Sequence, residues 1–190
     1  MKSLKGSLLI ASPALLDPNF LRTVVFLADH DQKGALGFIL NRPSEVPVSK
    51  IWSSLTEESV ELKTPAFFGG PVQHDALFFL HGHDELAAGI KPVVQGVYLG
   101  QEVQTLGALI ERAVQAGADA PARFRVFSGY AGWGAGQLEH EVKEGSWVVL
   151  PAQASHIFES EPLSLWSETM RAKGGIHALL SLMPLRPELN

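Results

Sequence analysis

The sequence predicts an α+β fold, a single domain built on a mixed, largely antiparallel sheet with helices packed outside it. Three observations carry that prediction. Two apolar, β-branched or aromatic runs near the N-terminus, Thr23 to Leu27 and Leu36 to Leu40, stand in hairpin order around the polar stretch Asp29 to Gly34. Helical spacing comes later and is interspersed with further strands, which is not the regular alternation of a doubly wound parallel sheet. The 190 residues amount to about 1.3 usual domain lengths. No linker, low-complexity tract or internal repeat divides residues 1–190, so one continuous domain is expected.

The elements follow in order. Ser7 to Ile10 is a short, continuous apolar run closed by Ser12 and Pro13, the pattern of a strand buried on both faces. Asp17 then caps a brief helical turn whose first position is Pro18, where the missing N–H is no loss. The hairpin follows and ends at Asn41, Arg42 and Pro43. Ser49 is placed to cap a short helix carrying Ile51, Trp52 and Leu55 on one face. Ala66, Phe67 and Phe68 run into the turn Gly69, Gly70, Pro71, and strand character resumes from Ala76 to Leu80 and from Gly96 to Leu99. From Glu102 to Ala116 the residues Val103, Leu106, Leu109, Ile110, Ala113 and Val114 recur at helical spacing, with Gly117 to terminate the helix. Phe124 to Phe127 reads as a strand, Gln137 to Lys143 as a helix ended by Gly145, and Trp147 to Leu150 as a strand stopped by Pro151. Trp166 and Met170 lie one turn apart in a last helix closed by Gly174 and Gly175.

Composition excludes several classes of function. Hydrophobic residues make up 46% and charged ones 18%, against roughly 25% charged in an average soluble chain, so neither disorder nor a charged extended assembly is expected. Fifteen Lys and Arg against 20 Asp and Glu leave a net charge of −5, and Arg123 with Arg125 is the only close Arg pair outside loops. A surface that tracks nucleic-acid phosphates needs a concentrated positive field, so direct nucleic-acid binding is disfavoured. Zero Cys removes disulfides, thiolate nucleophiles and cysteine-ligated zinc or iron–sulfur centres. Lys2 and Lys5 before Leu8 to Ala11 imitate a secretory leader, but the apolar stretch of about six residues is short of the 7 to 15 required and Pro13 follows. With no run near the ~18 apolar residues of a membrane span, a cytoplasmic location away from membranes is expected.

The chemistry-bearing residues fall into four groups. The glycine cluster Ser128, Gly129, Tyr130, Ala131, Gly132, Trp133, Gly134, Ala135, Gly136 lies between an expected strand and an expected helix, the layout of an anion-binding nest. Its spacing matches no phosphate-loop motif, and Glu139 and Glu141 would repel phosphate, so a tight turn around Tyr130 and Trp133 is the preferred reading. His81 and His83, followed by Asp84 and Glu85, would point two imidazoles to one face if they lay on a strand. Without an identifiable third ligand, metal is the weaker reading beside a solvated strand-end turn, and no cofactor is expected. Asp29 with His30, and His74 with Asp75, are adjacent residues that a strand turns to opposite faces, so neither is a ready-made acid–base dyad. Finally, Asp17, Asn19 and Arg22, with Asn41 and Arg42, are polar groups at strand ends that either line a shared pocket or pin a loop by Asp–Arg pairing. No Gly-x-Ser-x-Gly elbow supports a serine hydrolase.

Together these segments resemble the AlgH/YqgE family of bacterial proteins. The resemblance is carried by Gly6 through Ala11, Pro13, Asp17-Pro18-Asn19-Phe20, Arg22-Thr23-Val24, Gly34, Ala35, Gly37 and Asn41-Arg42-Pro43. It continues through Gly69-Gly70-Pro71-Val72, Leu80-His81, Gly129-Tyr130-Ala131-Gly132-Trp133, Gly136-Gln137-Leu138-Glu139, Glu141 and Trp147. It implies a single α+β domain of coiled, bifurcated sheets, a cytoplasmic location and a suggested role in transcriptional regulation, with no accepted catalytic set to carry over. The expectation is therefore a non-enzymatic binding or regulatory protein acting through a protein or small-molecule partner. Its binding site would form where Asp17, Asn19, Arg22, Asn41 and Arg42 meet Tyr130, Trp133, Gln137 and Glu139. The alternatives are an enzyme using Glu139 or Asp17 as general base and a purely structural role for these blocks. The sparsely charged exterior is also compatible with self-association as a homo-oligomer.

Overall fold

The computed structural model describes residues 2–117 and 120–183. Its strands are β1 (Ser7–Ala11), β2 (Val24–Asp31), β3 (Gly34–Ile39), β4 (Pro43–Pro47), β5 (Pro65–Phe68), β6 (Val72–His81), β7 (Tyr98–Gly100), β8 (Phe124–Gly134) and β9 (Trp147–Pro151). The helices are α1 (Val48–Thr56), α2 (Val103–Ala116), α3 (Gln137–Lys143), α4 (Ala154–Phe158), α5 (Pro162–Lys173) and α6 (Ile176–Leu180). The strands form one branched sheet in the order β4-β5-β8-β3-β2-β1-β9, with β6 pairing β8 and β7 off that path. All pairings are antiparallel except β5 with β8, so the sheet is mixed and largely antiparallel, an α+β arrangement.

The branch point is β8. Its first half lies between β5, paired at Phe67–Phe127, and β6, paired from His81–Phe124 to Leu77–Ser128; its second half turns to β3, paired from Gly37–Ala131 to Gly34–Gly134. This corrects the glycine loop expected from the sequence: Ser128 to Gly134 continues the strand. Glycine is needed because two backbones cross there. A Cβ on Gly69 would stand 2.2 Å from the Gly129 carbonyl oxygen, and one on Gly129, at φ +70°, 2.7 Å from the Gly70 oxygen. Gly129→Ala is therefore expected to lower stability by about 1–3 kcal/mol, read by chemical denaturation.

The sheet is covered on both faces. Leu8 and Ile10 of β1 pack with Val24, Phe26 and Phe38 under Ile157 of α4 and Leu165, Trp166 and Met170 of α5. Leu9 and Ala11 face the other way, with Val25, Leu27 and Ile39, beneath Trp133, Trp147 and Leu138 of α3. Double-sided burial explains the unbroken apolar run of β1. A third cluster joins Trp52 of α1 and Leu106, Leu109 and Ile110 of α2 to Phe79, Phe124 and Val126 on the other branch.

Edges are blunted against strand addition. The bonds Ser12 N–H to Ser146 O and Ala152 N–H to Gly6 O set the register of β9, so Trp147, Val149 and Pro151 turn their backbone groups outward. Pro151 has no N–H, and Lys173 Nζ takes the Val149 carbonyl at 2.9 Å. At the opposite edge, β4 begins and ends in proline.

Three boundaries differ from expectation. Pro47, not Ser49, is the N-cap of α1, because the chain enters it directly from β4. β6 begins at Val72, its early part held through a register shift against β8. α5 is not the last helix: Gly174 and Gly175, both at positive φ, turn the chain into α6, and the short α4 precedes it. Both unanticipated helices are five residues long, too short for a periodic signal.

Candidate functional site

The turn after β1 and the corner after β3 are joined by side chains that bind backbone. Asp17 Oδ1 accepts the Asn19 N–H at 2.8 Å, and its carbonyl accepts the Phe20 and Leu21 N–H groups, so Asp17 closes the turn while the Asn19 side chain stays exposed. Asn41 Oδ1 accepts the Val24 N–H at 2.8 Å and its Nδ2 donates to the Arg22 carbonyl at 2.9 Å. Arg42 Nη2 donates to the Pro18 carbonyl at 3.0 Å. Its guanidinium is the one beside the Asp17 charge, although partial burial, the larger effect, holds its pKa below the ordinary arginine value. Of the two arginines open to pairing with Asp17, Arg42 is the one beside it. Arg22, at φ +53°, instead donates to the Met183 carbonyl and lies 4.5 Å over the Trp166 ring.

The third block meets the first through Phe20. Its ring stacks on Trp133 at 6.1 Å and meets Trp147 edge-on at 5.4 Å. Below them, Glu141 accepts both indole N–H groups on Oε2, from Trp133 at 2.9 Å and Trp147 at 2.8 Å, while Oε1 accepts Gln137 Nε2 at 2.9 Å. Gln137 Oε1 in turn accepts the Gly134 N–H at 3.0 Å, tying the end of β8 to α3. Tyr130 does not join this group; it packs edge-on against Phe78, in the cluster on the opposite face.

Glu139 points elsewhere, to His30. The Leu4 N–H donates to His30 Nδ1 at 2.9 Å, so the neutral ring carries its proton on Nε2 and gives it to Glu139 Oε1 at 3.1 Å. Both ring nitrogens are engaged, and neither is free to take a proton from a substrate. A bond to its own backbone N–H, opposed by partial burial and reinforced by the His30 ring, holds the Glu139 carboxyl below the usual carboxylate range. Two open clefts of about 470 and 540 Å³ flank the β2–β3 hairpin; Asp31 and Lys33 line both, with Tyr130 and Trp133 in the first and His30 and Glu139 in the second.

The two imidazoles of His81 and His83 are not presented from one strand face, because β6 ends at His81 and Gly82 starts a turn. His81 is buried and stacked on Tyr98 at 5.4 Å; the His83 ring faces Glu85 at 3.5 Å. Among the described residues no group of three or more His, Asp or Glu is arranged to hold a metal ion. The neighbouring pair separates similarly: the His74 ring stacks on Phe68 while Asp75 is exposed.

Burial, with His83 adding repulsion at His81, keeps His81 and His156 below the ordinary histidine pKa. Below about pH 6.5 the unfolded chain takes up protons that these folded sites refuse, so stability falls with falling pH until the folded sites titrate. Thermal melts are expected to lose Tm between about pH 6.5 and 5, and His156→Asn should flatten part of that slope. A Tm that rises across this interval contradicts the assignment.

One buried group has no counterpart among the expected site residues. Arg125 on β8 donates from Nη1 to the Leu40 carbonyl at 2.8 Å and from Nη2 to the Ser160 carbonyl at 3.0 Å, its guanidinium 4.7 Å over the Phe67 ring. Burial pushes its pKa down to about 10, partly offset by Glu161, so it stays charged at neutral pH. Its only sequence signal is a charge alternating with Phe124, Val126 and Phe127 in an apolar strand.

Comparisons with known proteins agree with this architecture. A family model described as AlgH-like matches residues 8–178. A UPF0301 protein from Chlorobium luteolum is 42% identical over 185 residues, covering 97% of this chain and 94% of the relative. Another, from Thermobifida fusca, is 42% identical over 196 residues, covering 99% and 96%. The solution structure of the AlgH protein from Pseudomonas aeruginosa superposes with a TM-score of 0.72 at 29% identity, covering 96% of this chain and 95% of that one. A crystal structure of a Corynebacterium diphtheriae protein, at 24% identity and a TM-score of 0.71, shares the fold.

Proposed function

Since this chain belongs to the AlgH-like family, we propose that it is a non-enzymatic binding protein with a regulatory role, acting by holding a protein or small-molecule partner. The observation that carries this reading is the engagement of the polar side chains in the family blocks. Asp17, Asn41 and Arg42 bind backbone, Glu141 binds Gln137 and two indoles, and Glu139 binds a histidine whose second nitrogen is also engaged. Such a set builds a rigid surface and leaves no nucleophile paired with a free base. Catalysis by Glu139 would need a carboxyl pKa raised toward neutrality, and its shift runs the other way. Asp17 has one carboxylate oxygen committed to its own turn.

The partner-facing surface in this proposal is the pair of clefts beside the β2–β3 hairpin, where Tyr130, Trp133 and Glu139 stand with Asp31 and Lys33. The net charge of −5 supports a protein or small molecule over nucleic acid, and a cytoplasmic location fits a role in transcriptional regulation. Among the described residues no helix is long and apolar enough to cross a membrane. Native mass spectrometry of protein purified from its own host is expected to show a stoichiometric non-covalent adduct, lost in Lys33→Glu. Turnover of a metabolite that Glu139→Gln abolishes would overturn the proposal. Self-association is a separate part of it, removed by a monomeric sedimentation coefficient at micromolar concentration.

A further inference from the structure

The chain enters β1 through a strap, residues 3–5, bound to the C-terminal half of β2. Ser3 Oγ donates to the His30 carbonyl at 2.8 Å and accepts the Lys5 N–H at 3.2 Å, while Lys5 Nζ meets Asp29 Oδ1 at 3.2 Å. The Leu4 N–H donates to His30 Nδ1 at 2.9 Å, and the Leu4 side chain packs against the cluster that holds Trp133, Trp147 and Leu138. Gly6 marks the fixed end of the strap. Its N–H donates to the Leu27 carbonyl at 2.8 Å and its carbonyl accepts the Ala152 N–H at 3.1 Å, so it is held from both sides, whereas Ser3 and Lys5 are exposed.

One of these bonds depends on a proton. His30 Nδ1 accepts the Leu4 N–H only while it carries no hydrogen of its own, and a proton added there sets two donors against each other at 2.9 Å. The ring is the better-held partner: its side chain is 4% exposed, and Nε2 lies 3.1 Å from Glu139 Oε1, a bond that gains charge assistance when the ring becomes an imidazolium. The strap is therefore the part that yields. The charged groups on each side of the ring are accounted for. β2 brings Asp29, paired with Lys5, and Asp31, whose Oδ1 accepts the Lys33 N–H. α3 brings Glu139, with Glu141 bound to two indoles, His140 exposed and paired with Glu144, and Lys143 exposed. The amino-terminal charge acts on Glu139. Between pH 7 and 5 the histidines are the groups among these that ordinarily change charge.

We propose that residues 3–5 are an acid-released strap: a proton taken up on His30 Nδ1 breaks the Leu4 bond, tightens His30 on Glu139 and frees the chain up to Gly6. Ser3 lines the 540 Å³ cleft together with His30 and Glu139, so release removes one of its walls and uncovers the apolar surface beneath Leu4. The strap is read without any partner present, so its failure leaves the binding proposal intact.

Nuclear magnetic resonance of the full chain between pH 7 and 5 tests it, following the His30 ring nitrogens, the exchange protection of the Leu4 amide, and the backbone order of residues 3–5 and of β1. Leu4 protection is expected to fall at least about fivefold, the equivalent of one hydrogen bond, at the midpoint at which the ring becomes doubly protonated. Residues 3–5 lose order in the same step while β1, between β2 and β9, keeps its own. Glu139→Gln takes away the anion that favours the charged ring and should move the ring and Leu4 midpoints together to lower pH. His30→Gln should leave Leu4 protection without a step. A ring still neutral at pH 5, a ring that takes up its proton with Leu4 protection unchanged, a Leu4 midpoint that stays put in Glu139→Gln, a step that persists in His30→Gln, or loss of order in β1 at the same midpoint would each overturn the proposal.

Discussion

Replacing Arg125 by Met is expected to cost about 2–4 kcal/mol, about 1–3 kcal/mol for the buried Leu40 carbonyl left without a donor and about 1 kcal/mol for the partly buried Ser160 carbonyl. Buried ion pairs are often replaced by apolar residues without loss, but Arg125 is not bound to a charge. Its two bonds go to the buried carbonyl of Leu40 and the partly buried carbonyl of Ser160, which lose their donor when the guanidinium is removed. These carbonyls follow β3 and α4, so Arg125 fastens β8 both to the end of the hairpin and to the start of the α5 segment. For a chain of this length the melting temperature should fall by on the order of 10 °C. Arg125→Lys keeps the charge but has one ammonium in place of a planar fork, and cannot span both carbonyls while lying over Phe67. It is expected to rescue less than half of the loss. Denaturation midpoints with an unchanged m-value are the readout, and a stability within about 0.5 kcal/mol of the parent would contradict the assignment.

Glu141→Ala carries a comparable effect for a different reason. One carboxylate oxygen accepts from Trp133 and Trp147 together, and both indoles are more than nine-tenths buried. Truncation strands two N–H donors under Phe20 and releases Gln137, an expected loss of about 2–5 kcal/mol. Glu141→Gln retains one carbonyl oxygen that can serve both indoles and is expected to cost only about 1 kcal/mol. Near-UV circular dichroism of the folded variants discriminates further, because loosening the Trp133–Trp147 edge-on pair, 5.9 Å between centroids, weakens the aromatic signal. Equal losses for Ala and Gln would show that charge, not hydrogen-bond acceptance, is what the indoles require.

The parts of the fold legible in the sequence are those whose signal is local. β1 is a bare apolar run between Gly6 and Pro13, the β2–β3 pair surrounds a polar turn, and α2 repeats at helical spacing over fourteen residues. The course of β8 beyond Phe127 was hidden because its partners are Gly34–Gly37 and Val72, more than fifty residues away, and because glycine signals a turn far more often than a crossing of two backbones.

The candidate site divides the same way. Asp17 as a turn-closing residue follows from the Asp-Pro-Asn spacing. That Asn41 serves Val24 and Arg22, that Glu139 reaches His30 across 109 positions, and that Arg42 and not Arg22 stands beside Asp17 all depend on how distant strands stack. Strand alternation separates the adjacent pair Asp29–His30, as expected, but which partners they find, Lys5 and Glu139, depends on distant parts of the chain.

If the chain is the non-enzymatic binding protein proposed above, its engaged polar groups hold a scaffold, and a metabolite it takes up is retained unchanged. The most direct measurement is metabolite depletion against time, with the full chain incubated in a metabolite extract of its host and every species followed by mass spectrometry. The prediction is that any depleted species stops at one equivalent per chain and returns unchanged when the protein is denatured. Depletion that continues past one equivalent, with a new product mass growing in step, contradicts it.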